Sequence, residues 1–182
     1  MPDDSHPALQ RVRDAAARKG VQVEIRIFSD STHTASEAAA AVGAELGQIV
    51  KSLVFVAPTE AGLEAVVALV SGANRVDIAR LSAVTSLSSL RRATANEATE
   101  ATGFTIGGIP PFAHQRPLRV IMDPDLGRFP IVWAAAGTPN AVFAVPPGTL
   151  RSLANATVAP IAESADRHVG SHPRADGATT RA

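Results

Sequence analysis

Ile49-Val-Lys-Ser-Leu-Val-Phe-Val56, Pro58-Thr-Glu-Ala-Gly62 and Glu64-Ala-Val-Val-Ala-Leu-Val70 follow one another almost without a gap, and their reading sets the architecture. The first run has the two-residue period of a strand. Ile49, Lys51, Leu53 and Phe55 fall on one face, and Val50, Ser52, Val54 and Val56 on the other. The last run is apolar almost throughout, the pattern of a central strand covered on both faces. The segment between them reads as a hairpin turn. Lys51 breaks the pattern, because it shares a face with three large apolar side chains. Its amine either reaches past a strand end to water or projects into a cavity that holds something anionic.

Upstream, Ser5 is placed to cap a helix with Pro7 in its first turn. Leu9, Val12 and Ala16 share its inner face, and Gly20 ends it. Residues 21–28 alternate, with Val21, Val23, Ile25 and Ile27 set against Gln22, Glu24 and Arg26, as in a half-buried strand. Thr34 and Glu37 have the spacing of a capping box and open an Ala-rich helix that leaves at Gly43.

Downstream, Asp77 can cap a helix carrying Ile78 and Leu81, and residues 87–92 are compatible with a short helical turn. Thr94 and Glu97 repeat the capping-box spacing, and the helix they open ends at Gly103. Strands are expected at 118–122, 131–135 and 141–145, separated by turns at 123–127 and 137–140. Pro147 opens a last helix over 148–153, followed by a short strand near Val158. From Glu163 the chain loses its apolar residues, which predicts one domain over 1–162 and a disordered tail over 163–182. Strands joined by short turns, with helices in no regular βαβ rhythm, point to an α+β fold. The expected form is a mixed, largely antiparallel twisted sheet surrounded by short helices.

Between the fourth helix and the next strand lies Gly103-Phe-Thr-Ile-Gly-Gly-Ile-Pro-Pro-Phe-Ala-His114. Gly107 and Gly108 permit positive φ and a close backbone approach. Pro110 and Pro111 fix φ, remove two donors and hold the preceding residues extended. One reading is a rigid connection. The other is a stiff wall of small residues whose N–H groups at Gly107, Gly108 and Ile109 are free to meet a ligand.

Composition narrows the function. Of 182 residues, 46% are hydrophobic and 19% charged, as in a globular protein with a substantial core. Seventeen basic and seventeen acidic residues cancel, which argues against a non-specific nucleic-acid binder but not against a local basic patch. With one Trp, no Tyr and six Phe, a base-stacking platform is not expected. The absence of cysteine excludes disulfides and thiolate zinc. No apolar run approaches the roughly 20 residues that span a bilayer, and residues 1–7 carry no signal-peptide apolar region. A cytoplasmic protein without a membrane partner is expected. No phosphate-binding P-loop, dinucleotide fingerprint or nucleophile elbow occurs. His6, His33, His114, His168 and His172 show no metal-ligand spacing, so neither metal nor cofactor is expected. A lone lysine beside small-residue loops remains, a combination suited to a phosphate or a developing oxyanion.

Ile49 to Phe55, Gly107-Gly-Ile-Pro-Pro-Phe112 and Trp133-Ala-Ala-Ala-Gly137-Thr-Pro-Asn-Ala-Val-Phe143 occur in that order. Together they resemble the YbaK-type family, the prolyl-tRNA-synthetase-associated editing domains, over about residues 9–159. The resemblance implies a free-standing deacylase that hydrolyses the ester of a mischarged tRNA, with alanine or cysteine on proline tRNA as substrates. It implies Lys51 as the essential lysine near the terminal phosphate or ribose. It also implies Gly107, Gly108, Ile109 and Pro111 as the loop that holds the ester and the terminal adenosine. His114 is carried with that loop, and Gly137 and Thr138 form the pocket's other side. The terminal ribose hydroxyl would help activate water. Ala113 departs from the glycine of many relatives. Expected partners are the 3′ aminoacyl end of tRNA and prolyl-tRNA synthetase, with the protein a monomer or homodimer. Two rival readings stay open: a module that binds the aminoacyl-adenosine end without hydrolysing it, and a small-molecule esterase. Arg91, Arg92, Arg116 and Arg119 are the side chains whose replacement would separate tRNA-linked from small substrates.

Overall fold

The computed structural model describes residues 4–164. Its helices are α1 (Pro7–Ala17), α2 (Ala35–Val42), α3 (Ile78–Thr85), α4 (Ala95–Thr102) and α5 (Pro147–Ala154). Its strands are β1 (Ile25–Ile27), β2 (Val50–Thr59), β3 (Gly62–Ser71), β4 (Arg91–Arg92), β5 (Arg119–Met122), β6 (Val132–Ala135), β7 (Ala141–Val145) and β8 (Thr157–Val158). The strands form two sheets, one ordered β4-β2-β3-β5-β8 and the other β1-β7-β6. A parallel bridge between Ile49 and Trp133 joins them. Pairing is antiparallel except for β3 with β5 and β5 with β8. This is the mixed, largely antiparallel α+β architecture expected, divided into two sheets where one was expected.

The hairpin of β2 and β3 forms its spine. Val66 to Val70 are all fully buried because β3 lies between β2 and β5 with side chains covering both faces. One face of the hairpin packs Val54, Val56, Val67 and Leu69 against α1, α4 and β7. The other packs Phe55, Val66 and Val70 against Leu81 of α3 and Ile161. The turn is tighter than the sequence suggested, since pairing continues through Pro58 opposite Leu63 to Thr59 opposite Gly62.

Both capping boxes are present. The Thr34 hydroxyl accepts from Glu37 N–H and the Thr94 hydroxyl from Glu97 N–H, with reciprocal carboxylate bonds, and Gly43 and Gly103 close the helices in the left-handed region. Asp77 caps α3 as expected. Three local expectations are corrected. His6, not Ser5, caps α1, its ring accepting from Ala8 N–H. The alternation over residues 21–28 holds in burial, but only three of those residues pair, because β1 meets just the short β7. Residues 87–92 contain no helical turn. Arg91 and Arg92 add an edge strand beside Val56 and Phe55.

The expected tail lies outside the described residues from 165 onward. Glu163 still donates its N–H to the Arg75 carbonyl, and Arg80 reaches the Ser164 hydroxyl. Among the described residues no helix is long and apolar enough to cross a membrane.

Candidate active site

A cavity of about 240 Å³ opens where the two sheets diverge from the Ile49–Trp133 bridge. One wall is the outer edge of β2 from Val50 to Val54, with Arg92 and Ala93 of the β4 segment. The loop before α2 and the first turns of that helix bring His33, Thr34, Ala35 and Ala38. Trp133 to Ala135, Ala141 and Val142 line the β6–β7 side. Ile106, Gly107 and Ile109 come from the glycine–proline loop, and Pro139 from the β6–β7 turn.

The β2 edge is open by parity. Gly72 N–H binds the Ile49 carbonyl, so odd-numbered residues of β2 face β3. Ala93 N–H binds the Val54 carbonyl, so even-numbered residues face outward. Between that bond and the Ile49–Trp133 bridge, no strand covers the main chain of Ser52 among the described residues. The Ser52 hydroxyl, buried on the same strand, also has no hydrogen-bond partner among the described residues.

Lys51 is half-buried on this wall, and its Nζ donates to the carbonyl of Asn74. Asn74 is itself held by its side-chain amide, which donates to Asp125 Oδ2 at 2.8 Å. Burial lowers the Lys51 pKa below the ordinary lysine range, and the positive charges of Arg75 and then Arg92 lower it further. Burial likewise lowers Arg92, whose guanidinium lies 5.5 Å from the centre of the Phe55 ring. Lys51 thus lines the cavity while its amine is held on the Asn74 carbonyl.

The glycine–proline loop divides into a front and a back. Gly107 is exposed at φ +93°, and a Cβ there would lie 3.6 Å from Pro139, an ordinary contact. The N–H groups of Gly107 and Ile109 have no intramolecular acceptor among the described residues. Gly108 is buried, and its N–H donates to the Thr105 carbonyl. The reading of Gly108 as a third free donor is thus corrected. A Cβ on Gly108 would lie 2.7–2.8 Å from the Thr138 main chain.

Pro111, His114, Gly137 and Thr138 lie behind the cavity wall. His114 is largely buried and its Nε2–H donates to the Pro110 carbonyl at 2.8 Å, which leaves Nδ1 unprotonated in the neutral ring. Burial lowers its pKa, the Pro110 bond partly offsets this, and the Arg11 charge lowers it again. Gly137, at φ +110°, backs onto the Ala8 main chain, where a Cβ would come within 2.9 Å of the carbonyl oxygen. The Thr138 hydroxyl donates to Asn140 Oδ1 at 2.9 Å. Ala113 occupies the left-handed region at φ +68°, a conformation that a glycine adopts without steric cost.

Of the residues singled out from sequence, the cavity wall brings together Lys51, Arg92, Gly107 and Ile109. His33, Trp133 and Pro139 were missed as wall residues, and their approach rests on pairings between distant segments. His33 belongs to a capping-box loop, its ring 2.8 Å from the Ser31 hydroxyl.

The aminoacyl-tRNA editing domain profile matches residues 29–153 of this chain. An uncharacterised protein of Bacillus subtilis, YwhH, is 29% identical over 143 residues, covering 79% of this chain and 88% of that protein. A proline–tRNA ligase of Cupriavidus necator is 34% identical over 82 residues, 45% of this chain and 14% of the ligase. The crystal structure of a proposed trans-editing enzyme for prolyl tRNA synthetase superposes with a TM-score of 0.79 at 46% identity, covering 87% of this chain and 99% of that one.

Proposed function

This chain belongs to the aminoacyl-tRNA editing domain family, and from that premise we propose that it is a trans-acting aminoacyl-tRNA deacylase. The proposed substrates are alanine or cysteine esterified to proline tRNA. One observation carries the reading. A cavity of about 240 Å³ has a half-buried lysine on one wall and, on the loop that lines another, two main-chain N–H groups, of Gly107 and Ile109, that have no partner among the described residues.

In the proposed reaction, water oxygen bonds to the ester carbonyl carbon and the bond from that carbon to the ribose oxygen breaks. The ribose oxygen takes a proton, and free amino acid and tRNA leave. Negative charge develops on the carbonyl oxygen, where preorganised N–H donors act most strongly in a site shielded from water. Lys51 supplies a positive charge for the terminal nucleotide. The vicinal ribose hydroxyl assists the water, as the family resemblance implies. The cavity is smaller than the roughly 300–1,000 Å³ of most small-molecule sites, so it suits a small amino-acid side chain while the nucleoside stays at the mouth. A sieve of this kind distinguishes by about 1–3 kcal/mol per methylene. Prolyl-tRNA synthetase is the proposed partner from which mischarged tRNA passes.

A panel of mischarged tRNAs, scored for release of amino acid by the wild type and by Lys51→Ala, tests the proposal. Release of alanine or cysteine from proline tRNA, lost in the folded variant, is expected. Binding of the charged end without release would replace the enzyme by a binding module.

A further inference from the structure

Among the described residues several arginines have an acidic partner, whereas Arg75 and Arg92 have none, and Arg92 rests only over the Phe55 ring. Arg91 Nη2 meets Glu97 Oε1 at 2.8 Å, Arg80 meets Asp77, Arg119 meets Glu64, and Arg128 meets Asp125. The Arg91 guanidinium is so fully engaged that it holds the Glu97 carboxyl down at about 2. Arg92 is its neighbour on β4, and successive strand residues face opposite ways. Arg92 accordingly turns from Glu97 to the cavity wall, where no carboxylate meets it among the described residues. Arg75 follows Asn74, the residue whose carbonyl receives the Lys51 amine, and is exposed with no acidic partner among the described residues.

Lys51 and Arg92 on the cavity wall and Arg75 beside Asn74 thus have no carboxylate paired with them among the described residues, the nearby Asp125 being engaged by the Asn74 amide, in a molecule whose net charge is zero. The main chain holds them there. Asp123 is buried and accepts N–H bonds from Asp125, Ile161 and Ala162. Asp125 binds the Asn74 amide, and Glu163 N–H binds the Arg75 carbonyl. Like charges held together in a folded protein raise its energy until an anion arrives. Arginine is suited to that role, because its planar fork grips phosphate oxygens through paired N–H groups.

We infer that Arg75 and Arg92 form a phosphate clamp around Lys51, which grips phosphodiester groups on the 5′ side of the terminal nucleoside of the RNA. The clamp sets how the 3′ end enters the cavity and does not touch the reacting ester. It deepens the deacylase reading and rests on it for the identity of the ligand.

The test uses two hydrolysis-resistant probes, 3′-alanylamino-3′-deoxyadenosine with and without a 5′-phosphate, titrated by fluorescence or calorimetry. The wild type is expected to bind the phosphorylated probe at least about tenfold more tightly, as charge-assisted contacts allow. In Arg75→Gln and Arg92→Gln that ratio shrinks, and in the double variant it falls close to that expected from Lys51 alone. On full-length RNA, each lost phosphate contact lowers the slope of log K against log salt by about 0.7. Equal weakening of both probes in the variants would assign the arginines a structural role and overturn the clamp. Should the wild type release no amino acid from any charged tRNA while the ratio still shrinks, the clamp stands and the deacylase reading falls. Should it release amino acid while the ratio stays fixed, the clamp falls alone.

Discussion

Gly107 and Gly108 are adjacent and chemically identical, yet they belong to different parts of the molecule. Gly107 faces the cavity at positive φ with space around it, whereas Gly108 is pressed against the Thr138 main chain. The same division runs through the whole site. Lys51, Gly107 and Ile109 form the front, on the cavity wall. Gly108, Pro111, His114 and Gly137 form the back, where the loop is held in place. A small residue at the front leaves room for a substrate, and one at the back lets two backbones touch. Substitutions at the front should therefore disturb turnover and those at the back stability.

The largest effect is expected at Lys51. Lys51→Ala should lower turnover of mischarged tRNA by about 10²–10³, as removal of a preorganised charge or donor does elsewhere, with little change in melting temperature. A comparable loss of stability would move Lys51 to the structural side of the division. Next comes Gly108→Ala. Its Cβ meets backbone, which cannot rotate away, so a destabilisation of about 1–3 kcal/mol is expected from overpacking, visible as a lowered denaturation midpoint. Gly107→Ala should cost about 1 kcal/mol through its φ alone, while kcat/KM falls more than stability explains. If the two glycine variants lose stability equally, the front and back are not distinct.

Proton binding offers a subtler contrast. Anion binding needs the protonated amine, so affinity for a phosphorylated probe is full below the Lys51 pKa and lost as pH rises through it. Burial and the two arginines place that loss below the range of an exposed lysine. Arg92→Gln should move it upward, readable in a pH titration of probe binding. The sign for stability is opposite, since a buried ammonium is a cost that disappears as pH rises through the same value. The smallest effect is expected at Ala113. Glycine there relieves a left-handed alanine but loosens the unfolded chain, so Ala113→Gly should stabilise by less than about 1 kcal/mol in chemical denaturation.

Sequence reasoning reached the parts of this fold whose causes are local. The Thr34–Glu37 and Thr94–Glu97 boxes name their own helices because both partners lie within one turn. The burial of residues 66–70 follows from an unbroken apolar run. Lys51 stood out because a charge on an apolar strand face demands a reason. The division of the glycines could not be read, because it depends on Thr138 and Ala8, which approach from elsewhere in the chain. Arg91 and Arg92 form a strand only because β2 offers them an edge, and no local signal marks a two-residue strand. His33, Trp133 and Pro139 reach the cavity through pairing between remote segments, which composition does not encode.

The first helix has a role that the extent of the family match conceals. Arg11 donates to the carbonyls of Gly103, Thr102 and Ala113 and lies 4.1 Å over the Phe104 ring, while Ala8 supports Gly137. All of this precedes residue 29, where the match begins. A fragment trimmed to the matched region would keep every side chain of the cavity wall and lose the brace behind it. In a homologue where this helix arrived from a different part of the chain, its docking would supply the same brace from outside the cavity-bearing segment.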